Sequence, residues 1–144
     1  MKLKTRTLVA GLMLVAGVAI AADAADPTVK AWQTLMDGNG GAAKALGGMA
    51  SGEVPFDGAA AEAAKQTLIA NAADIPVKFQ TQAADPASKA SPDIWANWDD
   101  FAAKAKALGD AASMLDVSSL DTLKAGMGAV GGACKDCHSK YKMQ

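Results

Sequence analysis

The stretch GACKDCHSKYK, from Gly132 to Lys142, holds both cysteines of the chain, Cys134 and Cys137, and its only histidine, His138. Concentrating these residues in five consecutive positions limits what the chain can fold into. This segment must turn its reactive side chains toward one partner, and the rest of the chain must supply the other walls. Structural zinc needs about four N, S or O ligands in set spacings, and this Cys-Cys-His group has no second half. A thioredoxin-like redox pair opens a helix beside a strand-helix-strand pattern, and no strand pattern precedes this pair. The remaining reading is covalent haem attachment, of which C-x-x-C-H is the sequence sign. In that chemistry the two thiols add to the two haem vinyl groups, and the next residue reaches the iron from the same face. A chance match would have to absorb every Cys and His in the chain. The motif thus points to one haem c, tethered by Cys134 and Cys137, with His138 as proximal iron ligand.

The compartment follows from the other end. Residues 1–26 read MKLKTRTLVAGLMLVAGVAIAADAAD, with Lys2, Lys4 and Arg6 ahead of a thirteen-residue apolar run from Leu8 to Ile20. Small residues then give an A-x-A pattern at 19–21, the form of a secretory signal peptide. The run falls short of the roughly 18 to 20 residues a membrane helix needs. Residues 1–21 are therefore expected to be a signal peptide, with 24 as a second cleavage point, and 22–144 the working domain. Bacterial haem c is attached outside the cytoplasm, so motif and leader agree on the periplasm, without stable membrane insertion. Loss of Lys2, Lys4 and Arg6 takes 14 basic residues to 11 against 15 acidic, a net charge of −4, and leaves no arginine. No basic patch appears, which argues against nucleic acid as a partner.

The pattern over about 120 residues is that of one all-α domain. Asp26-Pro27 is a cap followed by a proline permitted at the first helical position, and Val29, Trp32, Met36, Ala43, Leu46 and Ala50 form an apolar stripe. The glycines of DGNGG, 37–41, weaken this helix locally, as a kink or as a site of close approach. SGEVPFDG, 51–58, is a turn in which Asp57 can cap a second, alanine-rich helix ending near Ala73. Three prolines make 74–92 an irregular connection. Ser91-Pro92 starts a third helix bearing Ile94, Trp95, Trp98, Phe101, Ala105, Leu108, Ala112 and Leu115. Ser118 or Ser119 starts a fourth, with Leu120, Leu123, Met127, Val130, Cys134, Cys137 and Tyr141 near a heptad seam. Four glycines, 126, 128, 131 and 132, precede the motif and imply either a flat group against that backbone or tight helix contact. The architecture expected is an antiparallel up-down four-helix bundle, with haem c held between helices near the C-terminal end of the last.

Several segments together resemble the class II c-type cytochromes, the cytochrome c-prime family. GGACKDCHSKYK is similar to its haem segment, GEVPFD at 52–57 to its first turn, and SPDIW at 91–95 to the start of its third helix. The resemblance runs from about Val29 to Lys142. It implies one of two branches: five-coordinate, high-spin iron that takes nitric oxide or carbon monoxide, or six-coordinate, low-spin iron with a methionine ligand that carries electrons. TLMDGNG at 34–40 resembles the low-spin branch and implies Met36 as sixth ligand. Gln33 corresponds to a glutamine near the haem in that family. High-spin members often have arginines where this chain has Trp32 and Lys142, a departure that favours the low-spin branch and leaves Lys30 or Lys142 to meet the haem propionates. Related proteins often pair through their first two helices; the Ala/Gly-rich faces here permit a homodimer or serve as plain core.

Geometry gives a separate argument for Met36. A single histidine excludes bis-histidine ligation, and the thioether is the commonest remaining haem ligand. In an up-down bundle the end of the fourth helix lies beside the start of the first, where Met36 sits. Met49 and Met114 belong to the opposite end and Met143 to the tail. Met127 is eleven residues back on the motif helix, about 16 Å along its axis. Met36 also lies on the apolar stripe, where plain core packing is the competing reading. The expectation is a periplasmic electron carrier working with periplasmic redox proteins. A gas-binding cytochrome is the alternative. With no acid–base pair and no second histidine, an enzyme is not expected.

Overall fold

A computed structural model describes residues 23–144; the expected signal peptide lies outside the described residues. Five helices follow: α1 Pro27–Ser51, α2 Gly58–Lys78, α3 Asp93–Ala96, α4 Trp98–Met114 and α5 Leu120–Tyr141. Most of their starts are set by short polar side chains. The Asp26 carboxylate accepts from the Thr28 and Val29 amides at 2.7 and 3.1 Å, Asp57 accepts from Ala60, and Ser119 forms a capping box with Thr122. Each satisfies amides that a helix start leaves unpaired. α1 ends at Gly52, whose φ of 80° only glycine adopts readily.

α1 packs on α2 and α5, and α4 packs on α2 and α5, with no diagonal contact among the described residues. This is a four-helix bundle, and α3 is a short prelude to α4. Ala90 and Lys142 form an isolated antiparallel bridge, and the amides of Ser91 and Met143 donate to the carbonyls of Tyr141 and Lys89 at 2.9 and 2.8 Å. The 79–92 connection is thereby clamped to the end of α5.

Three expectations need correction. First, α2 continues to Lys78, through Pro76, rather than stopping near Ala73. Tertiary contacts hold the extra turn: the indoles of Trp32 and Trp95 donate to the carbonyls of Lys78 and Phe79, both at 2.8 Å, and Ile75 and Phe79 are buried. Second, the third predicted helix is broken at Asn97 (φ −131°, ψ 48°). Its backbone N–H and its side-chain amide both donate to the Asp93 carbonyl, at 2.9 and 3.1 Å, closing the short helix there. Third, Val29, Trp32 and Leu46 of the expected α1 stripe are buried, but Leu35, Ala42 and Met49 are buried in place of Met36, Ala43 and Ala50, which are half-buried one residue on. The glycines also sort differently from one another. A Cβ on Gly38 would meet Asn71 Nδ2 at 2.9 Å and one on Gly126 would meet Leu115 Cδ1 at 2.5 Å, so these mark close approach. Positions 128, 131 and 132 have no protein atom within 4 Å and so mark no helix contact.

Two outcomes test this account. The Asp85 carboxylate accepts from the Ala25, Asp26 and Ala87 amides at 2.7, 2.9 and 2.8 Å. Chiefly the Asp26 amide, then that of Ala87, holds its pKa below the usual 3.8. A depressed carboxylate stabilises the fold above its unfolded value and loses that contribution as pH falls through the folded one. The melting temperature should therefore fall more steeply between about pH 5 and 2 in the wild type than in Asp85→Asn. Trp95→Phe leaves the Phe79 carbonyl without its donor and should lower the unfolding free energy by about 1–3 kcal/mol in a denaturant titration.

Candidate functional site

The side chains singled out from the sequence converge on one cleft between α1, α4 and α5. Its larger lobe, about 440 Å³, is bounded by Gln33 and Met36 of α1, by Cys137 and His138 of α5, and by the connection from Ala87 to Ala90. A smaller lobe of about 200 Å³ continues along α5 to Cys134 and along α4 to Lys104, Ala105 and Leu108. Met36, Gly40, Cys137 and His138 line both lobes.

Aromatic residues build the back wall. Trp32 stacks on Phe79 with ring centroids 4.7 Å apart and planes at 11°. Phe79 meets Phe101 at 5.4 Å, and Phe101 meets Tyr141 edge-on at 5.3 Å. With Trp95 and Trp98 beside them, six of the seven aromatic residues gather at this end of the bundle. Such a wall excludes water and offers flat apolar surface. Gly40, which lines both lobes, has no protein atom within 4 Å of where a Cβ would stand.

The motif helix is held in register by α4. Lys104 pairs with Asp136 at 2.5 Å. One turn earlier, Asp100 accepts from Tyr141 Oη at 2.5 Å and from Lys140 at 2.9 Å. Exposed ion pairs contribute little stability, but this set fixes the face that α5 turns to the cleft. Burial raises the pKa of Cys134 and raises that of Cys137 to about 11, opposed by the charge of Lys104. Burial, then the charge of Lys142, lowers that of His138. Burial thus favours protonated thiols before haem attachment, and a neutral imidazole, the form that ligates iron.

Gln33 lies on the larger lobe, its amide donating to the Ala87 carbonyl at 3.2 Å. Trp32 is a buried wall residue. Lys142 lines the larger lobe and Lys30 does not; Lys89 lines it too. Nothing in the sequence marked Lys89, because the 79–92 connection has no periodicity to show which side chains turn inward. The other methionines lie elsewhere: Met49 is buried, its sulfur 3.4 Å from the Asp57 amide, and Met114 is 84 % exposed. No cluster of three or more His, Cys, Asp or Glu is placed to hold a metal ion among the described residues. No helix among them is long and apolar enough to cross a membrane.

An apolar, flat-walled cleft with a C-x-x-C-H helix on one side defines a four-helix haem protein of the c type. Residues 27–142 match the family described as Cytochrome C', and the chain belongs to that family. It is 36 % identical over 151 residues to cytochrome c-556 of Agrobacterium fabrum, covering all of this chain and 99 % of that one. A structure of R. palustris cytochrome c556 superposes with a TM-score of 0.75 at 32 % identity, over 82 % of this chain and 97 % of that one. A Rhodobacter cytochrome c' superposes with a TM-score of 0.74 at 28 % identity, over 81 % and 95 %. The cofactor is covalently attached haem c, and the cysteines at 134 and 137 fit its C-x-x-C-H motif.

Proposed function

We propose that the chain is a periplasmic one-electron carrier whose low-spin haem iron is held by His138 and Met36. The observation that carries this reading is the place of Met36. It is the one methionine lining the cleft among the described residues, and it lines both lobes, as His138 does. When bound, haem supplies a one-electron Fe(III)/Fe(II) couple. Cys134 and Cys137 would hold it by thioethers, with each thiol's S–H adding across one vinyl group. His138 would give it a neutral nitrogen and Met36 a neutral sulfur, a ligand pair that raises the reduction potential. The aromatic wall keeps water away, which tunes the potential further. Lys142 and Lys89 are placed to meet the propionates, and Gln33 braces the connection that covers the cleft mouth. The larger lobe is lined by one carboxylate, Asp37, and one imidazole, His138.

The leader assigns the periplasm, and the partners are redox proteins of that compartment. The intact mass of periplasmic protein should equal the chain from Ala22 plus one haem, with the haem resistant to acidic acetone. A bare-chain mass, or haem lost to acetone, would refute the attachment; a retained Leu8–Ile20 segment would refute the cleavage.

Met36→Ala should lower the reduction potential and open the iron to carbon monoxide. Met49→Ala and Met127→Ala should do neither, whatever they cost in packing. If the wild type already binds carbon monoxide readily, Met36 only lines the pocket and the five-coordinate, gas-binding reading replaces this one.

A further inference from the structure

Asn39 is 7 % exposed, and neither its Oδ1 nor its Nδ2 has a hydrogen-bond partner. An unpaired buried amide is expensive, and in a native fold it marks a partner still to be accounted for. The other buried polar residue, Ser91, is satisfied: its Oγ accepts from Asp93 and its amide donates to Tyr141. The nearby Asn71 amide does not serve Asn39, because it donates to the Leu35 carbonyl at 3.4 Å. Asn39 lines the smaller lobe of the cleft, where Met36 lies three residues before it on α1. Residues three apart share a helix face, and helical side chains lean toward the N-terminus, over the preceding turn. Asn39 therefore leans toward the turn that bears Met36. Of the other polar side chains on this lobe, Lys104 is engaged by Asp136, and Cys134, Cys137 and His138 are committed to the haem. A thioether is a weak acceptor, and the Met36 sulfur has no hydrogen bond of its own in the structure.

We infer that Asn39 is a positioning residue for the iron's methionine ligand: the two side chains are not bonded in the structure, and when Met36 turns to the iron the Asn39 Nδ2–H donates to its sulfur and fixes which sulfur lone pair faces the metal. The inference rests on Met36 being that ligand. The donated N–H draws electron density from the sulfur, which favours Fe(II), and it resists release of the thioether from Fe(III). Leucine at this position would fill the same space in an apolar lobe and remove the orphaned amide. A merely structural Asn39 would therefore give a protein of equal or greater stability with unchanged iron properties.

The test uses holoprotein: wild type, Asn39→Leu, Asn39→Ala and Asn39→Gln. The readouts are the near-infrared sulfur-to-iron band, the reduction potential, and the affinity of the ferric protein for imidazole. Leu and Ala should each lower the potential and let imidazole displace the thioether about two- to tenfold more readily, the worth of one neutral hydrogen bond. Gln, which keeps the amide N–H, should return both values toward wild type. The Leu and Ala variants carry the same expectation, so failure of one to assemble does not protect the inference. A low-spin wild type whose Leu or Ala variant keeps its potential and imidazole affinity overturns the role of Asn39 alone. A high-spin wild type overturns Met36 ligation and this inference with it.

Discussion

The antiparallel contact between the first turns of α1 and the last turns of α5 decides what the cleft contains. The bridge between Ala90 and Lys142 and the two amide hydrogen bonds beside it reinforce that contact by tying the long connection to α5. With the connection fixed there, Met36 and Gln33 come to the level of Cys137 and His138. No feature of the motif helix alone would bring them there. The polar chemistry around the cleft serves the same end. Asp100 and Lys104 on α4 grip Tyr141, Lys140 and Asp136 on α5, so the face turned inward is set by one residue inside the motif and two just after it.

The core divides along the bundle axis. Away from the cleft it is built from Ala, Leu and Val, with Ala61, Ala64, Ala72, Leu46, Leu68, Leu123 and Val130 buried. At the cleft it is aromatic. The two indoles that end α2 also belong to this wall, so one set of side chains both finishes a helix and shapes the cofactor site. That double use explains why a chain with few aromatic residues places nearly all of them together.

Local chemistry was legible in the sequence, and contacts at a distance were not. Asp26-Pro27, Asp57 and Ser119 act within three residues of themselves, so the starts of α1, α2 and α5 could be read directly. The cluster of Cys134, Cys137 and His138 was equally local. The extra turn of α2 was hidden because its carbonyls are satisfied by Trp32 and Trp95, far off in sequence. The break at Asn97 was hidden because Ile94, Trp95, Trp98 and Phe101 keep a helical spacing across it. The periodicity of α1 could not separate the line of Leu35, Ala42 and Met49 from that of Met36, Ala43 and Ala50 one residue on. Which line packs and which faces the cleft depends on where α2 and α5 lie. For the same reason the burial of Asn39 and the inward turn of Lys89 carried no sequence signal.

The central claim is that the fold sets one histidine and one methionine on the same iron. X-ray absorption at the iron edge of the oxidised wild-type protein tests it directly. The account predicts a nearest shell of nitrogens with a single sulfur at bonding distance, and that sulfur lost in Met36→Ala. A wild-type shell of nitrogens alone would contradict it.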